Sequence, residues 1–286
     1  MNLYNLISLS GIFILLFFCW LISSNRREIN WHVVVWGIGL QLLIAWFFFI
    51  VPSGTKVLLF LNDLVVKVLD SSVAGARFVF GPLAIPPGGG QAGEQSFGFI
   101  LAFQIFPSII FFSSLMSLLY YFNIIPKIIK SFAYLFTKLM KVSGAESLCT
   151  ASNIFVGIES TLTIRPFLKD MTRSELCTVL TAGMATIASN VMAIYVFSLK
   201  DVFPNIAGHL VSASLLSAPA ALMTSKLILP ETEKPNTLGE SIEISYDKDS
   251  SIFEAVINGA MSGGRLIFGI VVLLIAVLGL VSLCDQ

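Results

Sequence analysis

The chain has 286 residues, of which 56% are hydrophobic and 12% charged, and its 17 Lys+Arg balance 17 Asp+Glu at a mean hydropathy of +0.88. Soluble domains carry roughly 25% charged residues, so the composition excludes an ordinary soluble domain and describes an all-α polytopic membrane protein. Zero net charge also excludes nucleic acid as a partner, because phosphate binding needs a surplus of Lys and Arg on one face. Cys19, Cys149, Cys177 and Cys284 are scattered singly through apolar segments and read as packing residues. His32 and His209 lie too far apart for a His-rich metal site.

The first apolar run, 3–22, is too long for a signal-peptide core and is followed by no small-x-small cleavage site, so it reads as a first transmembrane helix. Arg26-Arg27 closes it and nothing charged precedes it, which puts the N-terminus outside. Residues 30–51 form a second span, with Trp31, Trp36 and Trp46 for the interfaces and Pro52-Ser53-Gly54 as its stop. Between 56 and 84, Asp63, Lys67, Asp70 and Arg77 alternate with apolar residues, too much charge for a lipid-facing span; this is expected to be an interfacial or protein-buried helix. The Gly- and Pro-rich stretch 85–93 lacks the Gly-Lys-Ser/Thr ending of a phosphate-cradling loop and reads as a connector.

Residues 97–122 are expected as a third span, with Gln104 before Pro107 bonding to freed backbone or to a neighbouring helix. Lys127, Lys130, Lys138 and Lys141 then recur among Ile128, Ile129, Phe132, Leu135 and Phe136, the spacing of an amphipathic helix on the inner membrane surface. Residues 174–199 and 203–229 read as two further spans, 230–251 as a polar, acidic loop and 264–283 as a last span.

The segment 144–164 is apolar overall yet interrupted by Gly157 and Glu159 and closed by Arg165-Pro166. A carboxylate in the middle of an apolar segment costs on the order of 2.5 kcal/mol or more and marks a functional candidate. Two half-length apolar pieces around a polar centre are where transporters hold substrate and ions, since unwound carbonyls bind cations and half-helix N-termini offer N–H groups. A loop between two short helices is the alternative. Asn153 offers a side-chain oxygen and Val156 a backbone carbonyl to a hard cation such as sodium. Thr186, in a small, polar run inside the next span, reads either as a helix–helix hydrogen bond or as an ion ligand. Ser143-x-x-Glu146 has capping-box spacing and marks a helix start. No nucleophile–base pairing or metal-ligand cluster points to an enzyme.

From Gly98 onward the chain resembles the concentrative nucleoside transporter family. The resemblance rests on Phe103-Gln104-Ile105-Phe106-Pro107, Leu119-Tyr120-Tyr121, Ser143-Gly144-Ala145-Glu146-Ser147-Leu148, Asn153-Ile154-Phe155-Val156-Gly157, Ile164-Arg165-Pro166, Ala185-Thr186-Ile187, Ser217-Ala218-Pro219-Ala220 and Asn258-Gly259-Ala260. Phe78-Val79-Phe80-Gly81 and the region of Trp31 extend it over nearly the whole chain. It implies N-terminal scaffold helices at 1–95, a third span and interfacial helix at 96–142, a first transport repeat at 143–229, a polar loop at 230–251 and a last span at 252–286. Within the repeat it implies a re-entrant hairpin at 144–167 whose tip binds the nucleobase through Ile158, Glu159 and Ser160. It also implies a sodium site of Asn153, Val156, Thr186 and Ile187. The implied function is secondary active transport, nucleoside uptake coupled to sodium or proton entry, without an organic cofactor, by a homotrimer in the cell membrane, the inner membrane of a bacterium.

Two departures from the family pattern stand out. The tip Gly157-Ile158-Glu159-Ser160-Thr161 is one residue shorter than the family's and lacks its Gln and Pro. Anchoring on Arg165-Pro166 makes Glu159 the family's acid, whereas anchoring on Gly157 moves it to the neighbouring position; the first retains the acid. Family members also continue past the last span with a second hairpin and two more spans, so the chain is expected to be incomplete at its C-terminus. The alternative is a non-transporting membrane subunit that keeps the fold with a partial substrate site.

Overall fold

The computed structural model describes residues 3–86, 96–200, 202–240, 242–245 and 249–285, with only the backbone described at 3–9, 158, 159 and 190. The described residues are helical without a named strand, with an isolated bridge between Ser143 and Leu238. The helices in chain order are α1 (Leu3–Ile22), α2 (Trp31–Phe49), α3 (Pro52–Phe80), α4 (Leu101–Gln104), α5 (Phe106–Tyr121), α6 (Ile124–Met140), α7 (Gly144–Val156), α8 (Arg173–Ala185), α9 (Ser189–Leu199), α10 (Ile206–Ile228) and α11 (Ile252–Cys284). Short 3-10 segments cover Gly81–Ala84, Gly157–Ile164 and Leu168–Asp170. Among the described residues, Trp31–Phe49, Leu101–Tyr121, Ile206–Ile228 and Ile252–Cys284 are long and apolar enough to cross a membrane.

The chain divides into two compact units: Met1–Leu58, Pro126–Ala188 and Val211–Tyr246 form one, and Leu59–Ile125, Ser189–Leu210 and Asp247–Gln286 the other. In the first, α2 lies close on α10 because Gly37 has no side chain; a Cβ there would stand 2.7 Å from the Met223 Cβ. Ile29, Val34, Met223 and Leu227 form the buried cluster beneath this contact. Helix α6 buries Ile129, Ala133, Phe136 and Met140 and exposes Lys127, Lys130 and Lys138, with Lys141 exposed just past its end, the amphipathic division expected from the spacing. The polar loop after α10 is tied down: Gly144 N donates to Thr237 O at 2.8 Å and Ser245 N to Thr163 O at 3.0 Å.

In the second unit α11 packs against α5 through Gly259 and Gly263. A Cβ on Gly259 would come within 2.7 Å of the Ser113 carbonyl oxygen and the Ser114 Cα, and one on Gly263 within 2.9 Å of the Ile110 Cα. Small residues spaced four apart let helix backbones approach where lipid supplies no hydrophobic drive. Asn62 Oδ1 accepts from Gly208 N at 3.2 Å and Lys200 pairs with Asp70 at 2.7 Å.

Three expectations need correction. The third span is shorter and broken: residues 97–100 are non-helical, α4 ends at Gln104, and α5 begins at Phe106 with Pro107 in its first turn, where the missing N–H costs no bond. Gln104 bonds to non-helical backbone, its Nε2 donating to Gly98 O at 2.7 Å and Ile85 O at 3.1 Å. The span at 174–199 is two helices, interrupted at 186–188. The second arm of the hairpin returns as a 3-10 helix. The last span starts at Ile252, capped by Ser251, twelve residues before the apolar run at Gly264. Of the connector at 85–93, positions 87–93 lie outside the described residues.

Candidate functional site

Ser143 starts α7 with a capping box: its hydroxyl accepts from Glu146 N, and Glu146 Oε1 accepts from Ser143 N at 2.8 Å. Thr172 and Glu175 repeat the device at the start of α8. The other Glu146 oxygen pairs with Lys226 Nζ of α10 at 2.9 Å, with side-chain exposures of 1% and 6%. Lys226 also donates to Ser174 Oγ at 3.0 Å and to Glu231 Oε2 at 3.1 Å, and Thr172 Oγ1 donates to the same Glu231 oxygen at 2.9 Å. A buried ionic network thus joins the base of α7 to α8, α10 and the following loop. The sequence reading took Glu146 only as a cap and passed over Lys226, although a lysine inside an apolar run is the signal that singled out Glu159.

Helix α7 is buried from Gly144 through Ile154 and ends at Gly157, whose φ of 74° and ψ of −146° suit glycine alone. Gly157 N–H closes the helix on Asn153 O. The chain returns through Gly157–Ile164 as a 3-10 helix, with Ser160 and Thr163 facing α7: Ser160 Oγ donates to Asn153 Oδ1 at 3.3 Å, and Ser152 and Thr163 hydroxyls lie 3.3 Å apart.

Opposite this tip α8 stops at Ala185. Thr186 is extended, with φ −126° and ψ 159°, and α9 resumes at Ser189. The two interruptions satisfy each other. Asn153, fully buried, donates through Nδ2 to Ala182 O and Thr186 Oγ1, and Thr186 Oγ1 donates to Asn153 O at 2.9 Å. Gly157 lies against Ala188, where an added Cβ would stand 2.6 Å from the Ala188 Cβ.

Of the residues expected to hold an ion, Asn153 and Thr186 are in direct contact. Val156 and Ile187 precede Gly157 and Ala188 and so flank the touching pair. Of those expected on the substrate side, Ser160 is buried and turned toward Asn153, while the side chains of Ile158 and Glu159 lie outside the described residues. As placed, Asn153 turns its NH2 group to this contact; with the amide turned over, its oxygen would join the Thr186 hydroxyl and backbone carbonyls in a neutral oxygen set suited to a hard cation of low charge. No group of three or more His, Cys, Asp or Glu that could hold a metal ion occurs among the described residues.

A helical hairpin reaching an interrupted helix, with side-chain oxygens and opened backbone at the meeting point, is the arrangement of a secondary transporter. Family profiles give the finer assignment: one described as Na+ dependent nucleoside transporter N-terminus matches residues 10–83, its C-terminus counterpart residues 209–286, and one described as nucleoside recognition gate residues 102–202. The chain belongs to the concentrative nucleoside transporter family. It is 37% identical to mouse solute carrier family 28 member 3 over 285 residues, which is 99% of this chain and 38% of that protein. With the nucleoside permease NupC of Helicobacter pylori it shares 36% over 282 residues, 98% of this chain and 65% of the relative. The structure of CNTnw in an inward-facing substrate-bound state superposes with a TM-score of 0.85 at 30% identity, over 98% of this chain and 64% of that one. The chain therefore spans less than two thirds of each of these relatives.

Proposed function

We propose that the chain carries the ion site and the first half of the substrate site of a nucleoside–cation symporter in a cell membrane. Asn153, Val156, Thr186 and Ile187 hold sodium between the end of α7 and the break after α8, and Ile158 and Glu159 present the hairpin tip to the nucleoside, with Ser160 behind them. The observation that carries this reading is the mutual contact of the two interruptions through Asn153 and Thr186. The opening itself places a hydroxyl residue, Thr186, against the carboxamide of Asn153, two oxygen-bearing side chains brought together inside an apolar segment. Sodium is favoured over the proton because the contact offers neutral oxygens and no carboxylate among its described side chains. The matched relatives include proteins described as sodium/nucleoside cotransporters, which supports the same coupling. Family resemblance further suggests a homotrimer.

The test is sodium-dependent stabilisation of the purified chain, read as the rise in unfolding midpoint when choline chloride is replaced by sodium chloride. Binding to the folded state alone stabilises by RT ln(1 + [Na+]/Kd). Thr186→Ala is expected to shift the sodium response to at least tenfold higher concentration and Thr186→Ser to keep it near wild type. A response untouched by Thr186→Ala and Asn153→Ala overturns the assignment.

A further inference from the structure

An apolar opening in the first unit lies away from the hairpin. It is a groove of about 570 Å³ between α1 and α2, within the range of roughly 300–1,000 Å³ typical of small-ligand sites. One wall is Phe13, Leu16, Phe17 and Trp20 at helical spacing on α1; the other runs from Trp31 to Ile38 on α2. Leu227 of α10 closes the floor. The walls are carbon almost throughout, so the occupant must be a hydrocarbon.

The two ends of the groove differ. Trp20 and Trp31 stand at the end where α1 turns into α2, and this turn carries Arg26 and Arg27. The exposed Arg26 guanidinium lies 4.8 Å from the Trp20 ring centroid and donates to Leu21 O at the end of α1. The His32 ring meets Leu139 O at 2.9 Å, which brings the end of α6, with the exposed Lys138 and Lys141, to the first turn of α2. Four cations thus gather at this level, against Glu28 within the turn. The opposite end, at Phe13 and Ile38, leads seven residues or about 10 Å along the helices into the apolar part of both spans.

We propose that this groove is a binding site for an anionic phospholipid, with one acyl chain between α1 and α2 and the phosphate at Arg26 and its neighbouring cations. An arginine held over a tryptophan ring at the mouth of a hydrocarbon slot matches both parts of such a molecule. A second helix as occupant would bring no counterpart to the clustered cations. Basic groups near a membrane surface each contribute on the order of a fivefold preference for anionic lipid.

The full chain carrying Trp36→Phe and Trp46→Phe retains Trp20 and Trp31, both at the groove, as its fluorescent reporters. It is reconstituted in phosphatidylcholine vesicles and titrated with phosphatidylglycerol or phosphatidylcholine brominated high on the acyl chains. Phosphatidylglycerol is expected to reach half-quenching at a mole fraction at least fivefold lower. Adding Arg26→Gln and Arg27→Gln should bring the two curves together, and Val35→Phe, which fills the groove, should reduce quenching by phosphatidylglycerol alone. Equal curves without these changes, a preference indifferent to Val35→Phe, or tryptophans quenched by neither lipid because protein covers them, would each overturn the proposal.

Discussion

Replacing Gly157 with alanine tests whether the hairpin tip and the break after α8 work as one site. The cost has two parts. A non-glycine residue at φ 74° and ψ −146° pays about 1–3 kcal/mol of backbone strain. The new Cβ would overlap the Ala188 Cβ at 2.6 Å and press on its Cα at 3.0 Å and N at 3.2 Å, and overpacking of this kind costs about 1–3 kcal/mol more. The cheapest relief is to draw the tip away from 186–188. That lengthens the Asn153–Thr186 bonds and separates the oxygens proposed to share an ion. Charged to ion binding, even about 2 kcal/mol weakens sodium more than tenfold.

The measurement is the unfolding midpoint of the purified chain in sodium chloride and in choline chloride at equal ionic strength. Gly157→Ala is expected to lower the midpoint in both salts and to flatten the sodium response. Adding Ala188→Gly removes the 2.6 Å overlap but not the backbone strain, so it should recover part of the loss. Gly269→Ala is the control: nothing lies within 4 Å of its added Cβ, and a helical alanine gains about 0.5–1 kcal/mol over glycine. If Gly157→Ala matched wild type in both midpoint and sodium response, the contact with Ala188 would not constrain the site.

The base of the hairpin makes a different prediction. Lys226→Met strands a carboxylate that is 1% exposed and should cost about 3–5 kcal/mol, whereas Glu146→Gln combined with Lys226→Met should regain most of it; a midpoint unchanged by the single substitution would refute a working ion pair. Gly263→Val would drive a branched side chain into Ile110 and Ser113 of α5, and the loss is expected as lowered protection of both helices in hydrogen exchange, with α7 and α8 unaffected.

How far these features were legible differs with the range of the interaction that makes them. The capping box at Ser143 and Glu146 is local, and the structure forms it as the spacing requires. The lysines of α6 likewise report their own helix face. The break at 186–188 is not announced locally: Met184-Ala185-Thr186-Ile187-Ala188-Ser189 holds no glycine or proline, and Gly183 before it stays within the helix. It opens where Asn153, 33 residues away, donates to Ala182 O and exchanges hydrogen bonds with the Thr186 hydroxyl. Residue chemistry alone left Thr186 open between packing and ligation, and the family resemblance pointed to ligation. Lys226 illustrates the remaining gap. Its partners come from α7, α8 and the loop after α10, and no spacing within one element announces a bond to three others.

The hydrogen bonds of Asn153 also set a condition on any cation between it and Thr186. In this structure the amide turns its NH2 group to Ala182 O and Thr186 Oγ1 and its oxygen to Ser160. A cation needs the oxygen on the Thr186 side, so the amide must make a half turn, which places the NH2 group against Ser160. Ser160 suits both states, because a hydroxyl donates to the amide oxygen in one and accepts from the amide nitrogen in the other. It would therefore hold Asn153 in place without favouring either state. Ser160→Ala removes the partner from both and should lower the unfolding midpoint, the loss of one buried hydrogen bond being worth about 1–3 kcal/mol. The sodium concentration giving half the stabilising response should stay within about threefold of wild type, since the cost appears on both sides of the equilibrium. A sodium response abolished at an unchanged midpoint would instead make Ser160 a direct ligand, and the amide rotation would be ruled out as the switch.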